Sequence, residues 1–74
     1  MKKLTVAQRV GRNMRAARLQ VGLSQDHFAE TIGMHRAQYS AMERGEKNFT
    51  LTTLHRVAVG LGVTMAQLLR DVDN

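Results

Sequence analysis

Apolar positions recur along this chain at helical spacing, in stretches divided by glycine and by Ser/Thr residues, and proline is absent. Val6, Val10, Met14 and Ala17 fall at i, i+4, i+8 and i+11, which places them on one face of a helix. Thr5-Val6-Ala7-Gln8 opens that helix as a capping box: the threonine hydroxyl accepts from the amide three residues on, and Gln8 reaches back to the cap. Gly22 ends it. Ser24 caps a second, short helix with Phe28, Ala29 and Ile32 as its apolar stripe. Gly33 supplies the positive φ of an abrupt turn, and His35 takes the cap of a third helix. There Tyr39 and Met42 point inward, leaving Arg36, Ala37, Ser40 and Ala41 outward. Thr50 caps a fourth helix, with Leu51, Leu54, Ala58 and Leu61 as its stripe and Gly62 at its end. Thr64-Met65-Ala66-Gln67 is a second capping box, opening a fifth helix with Met65, Leu68 and Leu69. Asp71 to Asn74 read as a frayed end. The pattern predicts one all-α domain over residues 1–74, with helices at about 5–21, 25–32, 36–43, 51–61 and 65–71.

The 74-residue length allows one domain, whose core contributes only about 3–5 kcal/mol net, so the fold must be regular or dimeric. A helix of barely two turns such as the second cannot stand alone and must have an adjacent partner. Ala29, four residues before Gly33, marks the point where the second and third helices cross closely, where little more than a methyl group fits. Gly11, inside the first helix, costs about 0.5–1 kcal/mol relative to alanine, so either a neighbour packs close there or the chain tolerates it.

Charge narrows the function. Eleven Lys/Arg against six Asp/Glu leave a net charge of +5, and a pI near 10.8 makes a polyanion the leading partner. One tyrosine, two phenylalanines and no tryptophan supply a poor stacking platform for single strands, so duplex grooves and phosphates fit better. With no cysteine, disulfides and thiolate metal sites are excluded, in keeping with a reducing cytoplasm. His27, His35 and His55 lack metal-ligand spacing, and neither a nucleophile–base pair nor a carboxylate dyad is present, so neither cofactor nor enzymatic activity is expected. Arg9, Arg12, Arg15 and Arg18 interrupt the first apolar region, excluding a membrane span there. Recurring every three residues, they step about 60° backward around the helix and cannot all face one phosphate backbone.

VGRNMRAAR leading to GLSQ, then FA, IG, the S-x-x-E-R-G of Ser40 to Gly45, and TLTTLHRVAVGLGV together resemble the Cro/cI-type helix-turn-helix family, the lambda repressor-like and xenobiotic-response-element-type regulators. The resemblance runs from about Val10 to Leu69. HRAQYSAMERGEKNFTL is similar to the small stand-alone proteins that control restriction-modification operons, and also to short phage Cro-type regulators. The resemblance implies a five-helix lambda repressor-like domain with the helix-turn-helix at helices two and three. It places Arg36, Ala37, Ser40 and Ala41 at base-facing positions. Arginine can pair bidentately with guanine, while alanines at most touch thymine methyls, so Arg36 is the strong reader; a phosphate contact is its alternative role. Gln25 matches a residue that contacts phosphate and buttresses the third helix, and Arg44, Lys47 and Asn48 lie in a loop that runs along the DNA backbone. Arg12 and Arg15 are further phosphate candidates, and the His35 ring is another. Arg18 and Glu43 match a pair joining helix one to the end of helix three. Phe49 stands where the family has proline, so it packs into the core or at a subunit contact.

Val59 lies opposite the core stripe of helix four, where the family often carries charge, one turn after His55. With Val63, Leu69 and Val72 it makes an expected apolar patch, and a twofold dimer through helices four and five would set two reading helices about 34 Å apart. A slightly apolar monomer is the alternative. The expected function is sequence-specific regulation of transcription, as repressor or restriction-modification controller, by a cytoplasmic homodimer on a pseudo-palindromic operator, with double-stranded DNA and RNA polymerase as partners and no membrane. An antitoxin-type module that uses this fold to bind a protein is the competing reading.

Overall fold

The computed structural model describes residues 3–46 and 48–73, and among these there are helices and turns and no strand. The five helices are α1 (Val6–Gln20), α2 (Gln25–Thr31), α3 (Arg36–Glu43), α4 (Leu51–Leu61) and α5 (Met65–Leu68). Thr5 and Thr64 each form a full capping box, and Ser24 and Thr50 accept from the amides of His27 and Thr53. His35 caps α3 by position alone, with no side-chain hydrogen bond. At the other end α3 closes tightly: Gly45 (φ 68°) donates to Met42 O at 3.0 Å and Glu46 N to Ala41 O at 3.0 Å, the paired bonds of a Schellman motif.

The core is built from the inward faces of all five helices. Val10 and Met14 of α1 meet Phe28 and Ala29 of α2, Tyr39 and Met42 of α3, Leu54, Val57, Ala58 and Leu61 of α4, and Leu68 of α5. Phe28 and Tyr39 pack edge to face, with ring centroids 5.0 Å apart, an arrangement worth about 0.5–1.5 kcal/mol beyond its buried area. Gly11 is a point of close approach. A Cβ there would overlap the Glu43 carbonyl and sit 2.6 Å from that of Met42, so α1 and α3 touch backbone to backbone. Gly60 of α4 instead makes room for side chains, since a Cβ there would strike that of Ile32, the residue that ends α2, and crowd the Phe28 ring.

Several expectations are corrected. Val6 and Leu51, assigned to core stripes, are 61% and 73% exposed, because each is the first residue of its helix and overhangs the core. Val57 fills the space on α4 that the simple stripe missed. The fifth helix stops at Leu68 rather than near 71, and of the end expected to fray, the chain through Val72 is held in place, while Asn74 lies outside the described residues. Asn13 Nδ2 donates to Leu68 O (2.8 Å) and Arg70 O (2.9 Å), and Arg9 Nη1 to Val72 O (3.4 Å). These donors replace the helical partners of those carbonyls, the chain turns at Asp71 (φ 61°), and Val72 returns to the core instead of an outer patch. Phe49 packs against the core edge.

Candidate nucleic-acid interface

Recognition by a helix needs one face that holds it and another that is free. On α3 the holding face is Tyr39 and Met42, together with the carboxylate of Glu43. Arg18 Nε donates to Glu43 Oε2 at 2.7 Å and Nη2 to Oε1 at 3.1 Å, while Gln25 Nε2 donates to the same Oε1 at 2.8 Å. Arg18 Nη1 also donates to Leu23 O at 2.6 Å, in the loop before α2. One buried carboxylate thus ties the end of α3 to α1 and to the start of α2. Burial pushes the Glu43 carboxyl up, but hydrogen bonds from Arg18 and Gln25 and the adjacent Tyr39 hydroxyl outweigh it and hold the group below its ordinary value of 4.5. The same Glu43 hydrogen bond raises Arg18. Tyr39 lies at this junction with its hydroxyl buried and without a hydrogen bond of good geometry among the described residues; burial first, then Glu43, pushes it far above 10.0.

The free face is a concave strip lined by Arg36, Ala37, Ser40 and Arg44. These residues fall at i, i+1, i+4 and i+8, so arginines stand at both ends with small side chains between, a shape that admits the edge of a base pair. Ala41 is not part of it. It is 7% exposed, turned toward the body because its position lies about 100° round the helix from Ser40, and the expectation that it faces outward is corrected. Arg36 Nε lies 3.6 Å from Asp26 Oδ1, with both side chains exposed. Arg44 is engaged more closely: Nε and Nη2 donate to Glu46 Oε2 and Oε1 at 2.5 and 3.2 Å, and Nη1 to Ser40 Oγ at 2.6 Å.

The remaining candidates are scattered. His35 is exposed at the start of α3, Arg15, one turn after Gly11, is exposed on α1, and Asn48 is exposed away from the strip, bordering Val6, Ala7 and Leu51 at the starts of α1 and α4. Arg12 is not brought to the strip: it lines a separate depression with Arg9, Asn13, Arg70 and Asp71. Gln25 donates one N–H of its side-chain amide to Glu43, so it buttresses α3 directly. Lys47 lies outside the described residues. The expected interface residues do not share one depression either. His55 and Val59 border Ile32 and Arg56, Leu69 borders Val6, Phe49 and Leu51, and Val63 borders Asn13 and Ala17. Leu51, His55 and Val59 do form an exposed stripe along α4, at i, i+4 and i+8.

Two supporting residues escape a reading by motif. Arg56 donates to Ile32 O (3.2 and 2.7 Å) and Gly33 O (2.9 Å), covering the unpaired carbonyls at the end of α2 and so fixing the turn into α3. Its signal is that it is the one Lys, Arg, Asp or Glu in Leu51–Leu61. Glu46 carries a signal too, an acid two residues from Arg44 across a glycine and next to Lys47.

Comparison with known proteins fits this arrangement. The helix-turn-helix profile HTH_3 matches residues 14–68. The control protein C.MunI of a Mycoplasma species is 39% identical over 51 residues, 69% of each chain. The control protein C.SmaI of Serratia marcescens is 35% identical over 66 residues, covering 89% of this chain and 79% of that one. In structure, the restriction-modification controller protein C.AhdI from Aeromonas hydrophila superposes with a TM-score of 0.80 at 29% identity, over 84% of this chain and 94% of that one. With a buried junction holding α3 and a basic strip left open upon it, this chain belongs to the HTH_3 helix-turn-helix family and is a DNA-binding regulator of transcription.

Proposed function

We propose that the protein is a restriction-modification controller that binds a pseudo-palindromic operator as a homodimer, with α3 of each subunit in a major groove. The observation that carries this is the strip of Arg36, Ala37, Ser40 and Arg44 on a helix whose other side is built into the core. Its similarity to two control proteins and to a controller structure supports the biological role. Arg36 reads a guanine, the small side chains beside it admit the groove wall, and Asn48, Arg15, His35 and Lys47 serve the phosphates. An α3 of eight residues is about 12 Å long and covers only three or four base pairs, so two copies are needed for a specific site. The stripe of Leu51, His55 and Val59 is the surface offered to the second copy, and recruitment or exclusion of RNA polymerase follows from where the operator lies.

One selection experiment tests the reading. Duplexes recovered from a random pool should contain two inverted half-sites. Arg36→Ala should lose about 1–3 kcal/mol of discrimination at one base pair per half-site and none elsewhere. Val59→Glu should sediment as a single chain and recover half-sites without fixed spacing. Recovery of no common sequence by the wild type would overturn the proposal.

A further inference from the structure

A negative charge stands beside the outward strip on α3. Glu46 sits at its C-terminal end, on the loop that leads away from the helix, and takes two N–H groups of Arg44 in a fork while Ser40 Oγ takes a third. A bidentate carboxylate is the same pairing that a phosphate would offer that arginine. The position of Glu46 is set by the backbone: its amide is bonded to Ala41 O, and a side chain at the preceding Gly45 would collide with Gln8. The acid is therefore presented at one place beside α3.

Resting on the reading of α3 as the DNA-reading helix, we propose that Glu46 is a specificity residue, acting as an internal competitor that keeps Arg44 against Ser40 and denies it to passing phosphates. Arginine has five N–H donors. Three are held by Glu46 and Ser40, which leaves two without a protein partner among the described residues at the end of the strip. An arginine so held serves a partner that meets those two donors in place, such as the O6 and N7 of a guanine. A phosphate elsewhere along the backbone must first displace the carboxylate. Glu46 thus weakens binding to arbitrary duplex more than binding to the operator, acting as a positioning residue through Arg44.

The test compares wild type, Glu46→Gln, Arg44→Ala and the double variant on two duplexes of equal length, one recovered by selection and one of random sequence, across a salt series. Glu46→Gln should melt as the wild type does and bind the random duplex roughly fivefold more tightly, the worth of one exposed ion pair. Its salt slope should steepen by about 1 for the added phosphate contact. Its ratio of selected to random affinity should fall. In the Arg44→Ala background the same change should have little effect, because the arginine it releases is gone. If Glu46→Gln leaves the ratio and slope unchanged, or shifts them equally without Arg44, Glu46 contributes only its charge and the proposal is wrong. If the wild type itself shows no preference for the selected duplex, the reading of α3 fails, and the competitor role fails with it.

Discussion

Glu43 shows how one residue decides the position of the reading helix. Its carboxylate is surrounded by donors from α1 and α2, so removing it leaves the Arg18 charge buried and unpaired. Breaking one partner of such a pair costs about 3–5 kcal/mol, close to the whole stability of a domain this small. Glu43→Ala should therefore be largely unfolded at 37 °C by thermal melting, and an unchanged melt would refute the role. The pH dependence follows from the sign of the shift. The folded-state carboxyl is held below 4.5, so the unfolded chain binds the proton more readily. The contribution is complete above about 4.5 and is lost as pH falls through the lower folded value. The wild type should lose melting temperature over that acid range, more steeply than Glu43→Gln. The pairing of Arg18 with Glu43 was legible from family spacing. The third partner, Gln25, was placed in its supporting role, and one N–H of its side-chain amide carries that role; the phosphate contact expected of it draws on other donors of the same residue. Ala41 was misplaced because on so short a helix a shift of one position crosses from the outer to the inner face.

Among the elements, the glycines and caps carried most of what could be read. Thr5, Ser24, Thr50 and Thr64 start helices where a cap hydroxyl predicts one. What local pattern could not give was the end of the chain, where carbonyls beyond Leu68 go to Asn13 and Arg9. Those partners lie more than fifty residues away in sequence, and no periodicity encodes them. Gly11 posed a question that only packing answers. By helix propensity alone, Gly11→Ala should stabilise α1 by about 1 kcal/mol. The added Cβ meets two backbone carbonyls of α3, which cannot swing aside as a side chain would. The variant should instead be about 1–3 kcal/mol less stable in urea titration, and it should lose affinity for DNA beyond that, because α3 is pushed from its seat. A gain in stability would show that the two helices are not in contact as described.

At the scale of the whole molecule, the charge of +5 and the all-helical class were plain from composition and spacing. The grouping of exposed apolar residues was not: whether Val59 and Leu69 share a surface depends on how helices are turned, and the structure assigns them to different depressions. The molecule also holds α3 unevenly. Its last turn is fixed by Glu43, by the backbone contact at Gly11 and by the closed turn at Gly45. Its first turn begins at His35, which makes no cap hydrogen bond. The amide of Gln38 should therefore exchange with deuterium faster than the corresponding third-position amides of Gln8, His27, Thr53 and Gln67, each of which a cap oxygen holds; equal protection would contradict the asymmetry. The asymmetry is one of hydrogen bonding and not of seating, because Arg56 still fixes the turn that leads into α3. The reading end of the helix therefore keeps its place while its first-turn N–H groups, which no cap side chain accepts from, stay available to an acceptor outside the chain.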